Sequence, residues 1–346
     1  MVNLVKNFIN LSPIKLKTPP LVGIDLGTFS IKCVEIIRDN GVPRLTRADL
    51  FPVHPGKDTL AQIRGLGLDA TKSVRISLSG PAVLIRRLVL PSMTAAELKG
   101  AIQFQAESQL PISVEDYQLD SQVLGQPDKK TMSVLLVAAK KELVHERLKL
   151  FSSLEIQPHI IDVDIFCLLN AFQLLEEAEA KKNYGLLNIG HKGSSFIIVQ
   201  NGAPFFVREV GFGGQQVTQA LAGAKGIPEA EAAILKTKKP AEAAKDLQAA
   251  TEKGFDALLD EVKHSIDYFE NEAGDDLKKV WISGGGALSQ GTAAFFSEGL
   301  GREASLWRPV RNVDLAEGVD AAFFAEHGSE FHVALGMALR GAGPIA

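Results

Sequence analysis

The chain has 346 residues, 46% hydrophobic and 23% charged, with 37 basic against 41 acidic side chains and a net charge of −4. That is enough chain for two ordinary domains with a sizeable core, and no block of like charge marks a nucleic-acid surface. Two cysteines, Cys33 and Cys167, exclude a disulfide framework and lack metal-ligand spacing, so small core residues are expected there, and no apolar run approaches the roughly 18 residues of a membrane span.

At the N-terminus Val2, Val5 and Ile9 recur at helical spacing, as do Leu4, Phe8 and Leu11, with Lys6, Asn7 and Asn10 between them. Pro13 ends any helix, and Lys15, Lys17 and Pro19-Pro20 follow. The apolar stretch is too broken for a secretory signal and no small-residue cleavage site follows. Residues 1–20 are either a short amphipathic segment that docks on a partner or a membrane surface, or a frayed tail.

Leu21 to Ile24 is an apolar run ending at Asp25, then Gly27, Thr28 and Ser30, then apolar Ile31 to Ile37. The pattern is strand, tight polar turn, strand. Val74 to Leu78 and Val83 to Leu90 are predicted strands. Thr94 with Glu97 forms a capping box, opening a helix from Ala95 to about Leu110 that stops at Pro111. Val134 to Ala138 is a strand, Glu142 to Leu154 a helix with Leu143, Leu148 and Phe151 on one side, and Ile165 to Leu175 another helix. Gly185 to Ile189 repeats the opening design. A turn of Gly190, His191, Lys192, Gly193, Ser194 and Ser195 leads to Phe196–Val199, Asn201-Gly202 turns the chain, and Pro204–Val210 runs into Gly211, Gly213 and Gly214. Pro228 to Lys236 and Ala241 to Glu270 are predicted helices, and Val280 to Ser283 a strand before Gly284, Gly285 and Gly286. The expectation is a mixed α/β chain whose two halves each open with a Gly- and hydroxyl-rich hairpin.

Glycine turns let backbone N–H groups approach an anion, because no Cβ intrudes. Thr28 and Ser30 add hydroxyls, and Asp25 at a strand end can hold a hydrated Mg²⁺ against phosphate oxygens. A single such turn is more often just a turn. Two in separate halves, with a third Gly cluster after a strand, point to a cleft that clamps nucleotide phosphates from both sides. The Gly284–Gly286 turn then lies against adenine or ribose.

GIDLGTFSIKCVEI resembles the first phosphate motif of the actin-like ATPase superfamily. LPSMTAAELKGAIQFQAESQLPISVEDYQLDSQVL, NGAPFFVREVGFGGQQVTQAL, VWISGGGALSQG and FHVALGMALR are similar to segments of one branch. That branch is the PilM family of type IV pilus assembly proteins, relatives of the cell-division protein FtsA. The resemblance runs from about residue 21 to 340 and is most specific at Leu90–Leu124 and at the closing helix. It implies an α/β actin-like fold, a duplicated ribonuclease H-like design with two halves around a nucleotide cleft. The implied subdomains are 21–84 plus 158–180, an inserted FtsA-type subdomain over 85–157, 181–222 plus 275–340, and a helical 223–274.

It also implies ATP or ADP with Mg²⁺ in the cleft. The site set is Asp25 (metal, through water), Gly27, Thr28, Phe29, Ser30, Lys32, Asn188, Gly190, Gly193, Ser194, Ser195, Gly213, Gly214, Lys236 and Gly284–Gly286. The implied partner is the cytoplasmic tail of a PilN-like inner-membrane protein, held in a groove between first-half subdomains. Other pilus platform or motor components and self-association into a ring are implied too, at a cytoplasmic site peripheral to the inner membrane.

The chain departs from the pattern in places. Asn188 stands where the family usually has Asp, Ala233 where a nucleotide-contacting Glu is usual, and His264 where Arg is common. Losing two carboxylates weakens hydrolysis more than binding, because backbone N–H groups still hold phosphates. The expectation is a binder and switch with slow or absent turnover. Asp164 is the remaining candidate to position a water; the plainer reading is a helix N-terminal acid favoured by the macrodipole. His145, His159, His191 and His327 show no metal spacing. Phe295-Phe296, Phe323-Phe324 and Trp281 are expected in the core, and Lys236, Lys238 and Lys239 form a solvated face. Two alternatives stay open: a small-molecule kinase of the same superfamily, against which the short chain counts, and an FtsA-like membrane anchor, against which the apolar-poor ending LRGAGPIA counts. A secretion-system relative fused to a membrane span is disfavoured.

Overall fold

The computed structural model describes residues 19–39, 42–53, 59–69, 72–110, 113–126, 128–176, 179, 182–308 and 313–340. The amphipathic segment expected at the N-terminus falls outside the described residues, apart from Pro19 and Pro20.

In chain order the elements begin with β1 (Leu21–Leu26), β2 (Ser30–Asp39), β3 (Val42–Pro52), α1 (Thr59–Arg64) and β4 (Ser73–Leu78). Next come β5 (Val83–Pro91), α2 (Ala95–Gln109), β6 (Tyr117–Gly125), β7 (Thr131–Lys140) and α3 (Lys141–Ser152). β8 (Ile160–Val163) and α4 (Asp164–Leu175) lead to β9 (Tyr184–Ile189), β10 (Ser194–Gln200) and β11 (Ala203–Val210). α5 (Gly214–Lys225), α6 (Glu229–Lys238) and α7 (Ala244–Ala273) precede β12 (Lys279–Ser283) and α8 (Thr292–Leu300). β13 (Glu303–Leu306), β14 (Asp314–Leu315) and α9 (Ala321–Leu339) follow.

The duplication expected from the hairpins is visible in strand order. One sheet runs β14-β3-β2-β1-β4-β8 and the other β11-β10-β9-β12-β13. In each, the opening strand pairs antiparallel with its hairpin partner on one side and parallel with a later strand on the other. Strands bury both faces, as apolar runs within parallel sheets must. Val22, Ile24 and Cys33 pack outward with Phe151 and Ile63, while Val34 and Ile36 pack inward. In the second sheet Leu187, Ile189 and Phe196 face α5, α7 and α8, while Leu186, Ile197 and Val199 face inward.

The inward faces share one core, built on α4 and α9 lying between the two sheets. The packing there is backbone to backbone. A Cβ on Gly23 of β1 would collide with the carbonyl of Ala334, and one on Gly336 of α9 with the carbonyl of Cys167 in α4. The third sheet, β5-β7-β6, carries α2 on one face through Leu98, Ile102 and Ala106 and turns Val83, Ile85 and Leu135 toward the shared core. Thr94 caps α2 with the expected reciprocal pair, its Oγ1 accepting from the Glu97 N–H while its own N–H donates to the Glu97 carboxylate.

Several expectations need correction. β3, β6 and β8 lie where no strand is predicted. β3 and β6 are half-exposed, with charged residues interleaved, so neither shows the apolar run that marks a buried strand. The helix expected over 241–270 starts as a 3-10 turn, Ala241–Ala243, and α7 then runs on until Gly274 ends it in the left-handed conformation (φ 61°). Leu148 is 37% exposed, not on the buried face with Phe151. Trp281 is only partly buried, with the Lys279 ammonium 3.6 Å over its ring; the fully buried indole is Trp307.

Candidate functional site

Each hairpin turn ends at the same edge of its sheet. In the first, register sets Asp25 opposite Lys32, and the two form an ion pair of 3.0 Å. Gly27 has no room for a side chain, since a Cβ there would lie 2.8 Å from the Ser30 carbonyl and 2.9 Å from Lys32 Nζ. Thr28 and Phe29 are exposed at the tip, while Ser30 is buried at the start of β2.

The second turn is laced to the helix that follows it. Gly190 N–H donates to the Gly193 carbonyl (3.0 Å), Gly214 N–H to the Gly190 carbonyl (2.8 Å) and Gln215 N–H to the His191 carbonyl (2.8 Å). A Cβ at Gly213 would lie 2.7 Å from two of those carbonyls. Ser194 Oγ donates to the Phe212 carbonyl (2.7 Å), which commits it to the turn's own structure. The third glycine cluster closes on the same place. Gly284, at φ +90°, would drive a Cβ into the Ile189 carbonyl and within 2.6 Å of Asn188 Oδ1, and the Gly286 Cα lies 3.3 Å from where a Gly214 Cβ would sit. Gly285 abuts the Glu330 carboxylate.

Asn188, Gly190, Gly193, Gly213, Gly214 and Gly284–Gly286 therefore come together, and Lys236 joins them. Its Nζ donates to the Gly214 carbonyl at 2.6 Å. It forms no ion pair with any described carboxylate, and burial alone lowers its ammonium from 10.5 to about 8. The expectation of a solvated lysine face holds for Lys238 and Lys239, which are exposed, but not for Lys236. The reason is that α6 packs against α5, which turns Lys236 onto the start of that helix.

The two turns meet. The Phe29 ring lies 5.0 Å from that of His191, joining the halves directly. Burial lowers the His191 imidazole, and Lys236 and Lys192 lower it further. On the first-half side Asp164, the first residue of α4, sits beside Asp25. Burial raises its carboxyl to about 6, the Asp25 charge adds to this, and the nearby Ser77 and Ser79 hydroxyls together with Lys32 oppose it. Burial pulls Lys32 down, but Asp25 most of all, with Glu330 and Asp164, more than offsets this and holds it above its ordinary value.

Glu209 is a functional candidate that sequence reasoning missed. Register sets it opposite Ser195 on β10, and Ser195 opposite Asn188 on β9. Burial raises its carboxyl to about 7, Asp164 pushes the same way, and the nearby Ser195 hydroxyl and Gly80 N–H oppose it. The Asn201-Gly202 turn signals that β10 and β11 pair, but the bulge between Ile198 and Val199, which the sequence does not mark, is what sets Glu209 opposite Ser195.

These residues suit a polyphosphate anion: three glycine segments that a Cβ would fill, a buried ammonium bonded only to a carbonyl, and a cation–carboxylate pair facing them. A recess of about 400 Å³ adjoins the third glycine cluster, lined by Lys239, Leu288, Ser289, Trp307 and Arg308. Among the described residues no three His, Cys, Asp or Glu side chains are placed to hold a metal ion directly.

A second concavity, about 990 Å³, runs between the third sheet and α4. Leu135, Val137, Phe166 and Leu169 supply apolar walls, and Asp120 and Arg340 supply charge. β6 is an edge strand along it. Arg340 also pairs with the buried Asp162, and Arg75 donates to the carbonyls of Met337 and Ala338, fixing the end of α9 there.

Comparison with known structures agrees with this architecture. A PilM–PilN type IV pilus biogenesis complex matches with a TM-score of 0.82 at 25% identity, over 94% of this chain and 99% of that one. The ethanolamine utilization protein EutJ from Carboxydothermus hydrogenoformans matches at 0.53 and 17%, over 95% and 90% of the two chains. MreB5 of Spiroplasma citri bound to ADP matches at 0.50 and 13%, over 93% and 96%. The last two establish likeness of fold, and the fold is actin-like α/β. A family model described as type IV pilus assembly protein PilM matches residues 23–342, and the chain belongs to that family.

Proposed function

We propose that this actin-like type IV pilus assembly protein is a nucleotide-binding scaffold. It holds ATP or ADP with Mg²⁺ between its glycine turns and turns it over slowly or not at all. The observation that carries this is Lys236, a buried ammonium whose nearest partner is the Gly214 carbonyl, at the junction of three glycine segments that admit no side chain. A phosphate there would supply the missing negative charge. Gly190, Gly213 and Gly214, whose N–H groups are bonded within the protein, would let the anion come close by lacking side chains, Lys32 and Lys236 would neutralise it, and Asp25 would hold a hydrated Mg²⁺. Such an ion, when bound, would neutralise phosphate charge. Neutral Asn188 and Ala233 give little help in orienting an attacking water, which supports a switch rather than an efficient enzyme.

The subdomain division expected from sequence, with an inserted unit over 85–157, is part of this proposal, supported by the separate β5-β7-β6 sheet. The groove between that sheet and α4 suits an extended segment: an apolar floor, an edge strand and two charges. Its proposed occupant is the cytoplasmic tail of a PilN-like inner-membrane protein, by likeness to the PilM–PilN complex. No helix among the described residues is long and apolar enough to cross a membrane. A cytoplasmic place at the inner membrane, contacts with other pilus components and a ring of copies complete the reading.

The test is equilibrium binding of Mg-ATP and Mg-ADP, with turnover, beside Asp25→Ala. Tight binding with negligible turnover, weakened in the variant, is the expected result. Brisk turnover would favour an enzyme, and no binding by the wild-type chain would leave a scaffold without a nucleotide.

A further inference from the structure

The two sheets share one plan, so positions can be matched across them. Asp25 on β1 faces Lys32 on β2, and Lys32 faces Leu50 on β3. The matching row in the second half is Asn188 on β9, Ser195 on β10 and Glu209 on β11. Apart from the extra β14 at the edge of the first sheet, strand order and sense are the same in both, so the rows correspond position by position. The first half thus carries minus, plus and apolar; the second carries neutral, neutral and minus. Both rows lie on the inward faces, at the strand ends where the glycine turns meet.

We propose that Glu209, not Asn188, is the second half's carboxylate toward the hydrated cation of a bound nucleotide, acting as a positioning residue. This rests on the nucleotide reading above. Three observations carry it. Glu209 is directed across the cleft, where the Gly80 N–H and Asp164, both of the first half, act on its carboxylate. Its Oε1 is buried and has no protein partner. Asp25, Asp164 and Glu209 converge with Lys32 as the ammonium among them, an arrangement short of positive charge. Among the described residues no three carboxylates are close enough to ligate an ion directly, so the proposed contact runs through the ion's water shell, as Mg²⁺ prefers. Glu209 lies two strands from Asn188, on the order of 10 Å away. A carboxylate moved that far can still reach a hydrated ion between the halves, but not the shell position that an acid at 188 would fill.

The test uses the full chain at pH 8, where Glu209 is ionised, and measures ADP affinity with saturating Mg²⁺ and with EDTA. The gain in affinity due to Mg²⁺ is the readout. In the wild type we expect a gain of at least about tenfold; removing one charge that faces a divalent ion should cost most of it. Glu209→Gln should reduce the gain to about twofold without weakening Mg²⁺-free binding, and Glu209→Asp should restore part of it. An unchanged gain in Glu209→Gln, or no gain in the wild type, would each overturn the proposal while leaving nucleotide binding in place. Failure of the wild type to bind ADP at all would instead remove the reading on which it rests.

Discussion

Lys236→Met should make the ligand-free protein more stable and the nucleotide-bound protein weaker. The ammonium falls from 10.5 to about 8 by burial, which corresponds to roughly 3 kcal/mol spent on keeping the charged form inside. Methionine fills similar space without the charge but loses the bond to the Gly214 carbonyl, about 1 kcal/mol. The net is about 2 kcal/mol of stabilisation, or roughly 3 °C in Tm for a chain of this size. The sign follows from linkage. The folded-state value lies below the unfolded one, so the folded protein carries the cost when the lysine is charged, below about pH 8. The cost disappears as pH rises through 8 to 10.5. The variant's advantage should therefore be full at pH 7 and nearly gone at pH 10. Loss of a charge-assisted hydrogen bond to phosphate should weaken ADP binding about ten- to a hundredfold. Thermal scans at both pH values, with calorimetric titration of ADP, read out both effects. A variant that melts lower at pH 7 and binds ADP normally would refute the reasoning.

Gly284→Ala combines a left-handed backbone with a methyl driven into the Ile189 carbonyl, so it should cost about 3 kcal/mol or more and abolish ADP binding. Denaturant unfolding beside ADP titration checks this. Val123→Arg, at an exposed position on β6 along the groove, should leave stability within about 0.5 kcal/mol. It should also leave ADP affinity alone while reducing capture by an immobilised tail peptide of the proposed PilN-like partner, and equal loss of both would count against separate sites.

The hairpins and their glycines were legible because tight turns demand particular residues, and a turn repeated in two halves is its own check. The groove was not, since its walls come from β7, α4 and the end of α9, which only tertiary packing assembles. Glu209 shows a subtler limit. Counting back from the Asn201-Gly202 turn, Gln200 pairs with Ala203 and Val199 with Pro204, which would set Arg208 opposite Ser195. A bulge between Ile198 and Val199 shifts the register by one and puts Glu209 there instead. Because side chains alternate, that single extra residue decides whether a cation or a carboxylate enters the cleft. Lys236 was misjudged as part of a lysine-rich face for a related reason: composition does not show which of three neighbouring lysines a helix presents to its partner.

The close backbone seat of α9 against Gly23 and α4 has a consequence for biosynthesis. The opening strands of the first half leave the ribosome well before one of the two helices that cover their inner face, which is encoded about 300 residues later. Until that helix emerges, Val34, Ile36 and the inner side of β1 have no permanent cover, so the nascent first half must wait in a partly formed state. Folding of the first half is then tied to the emergence of α9 rather than proceeding half by half, and growing chains should depend on holding chaperones until that helix is made.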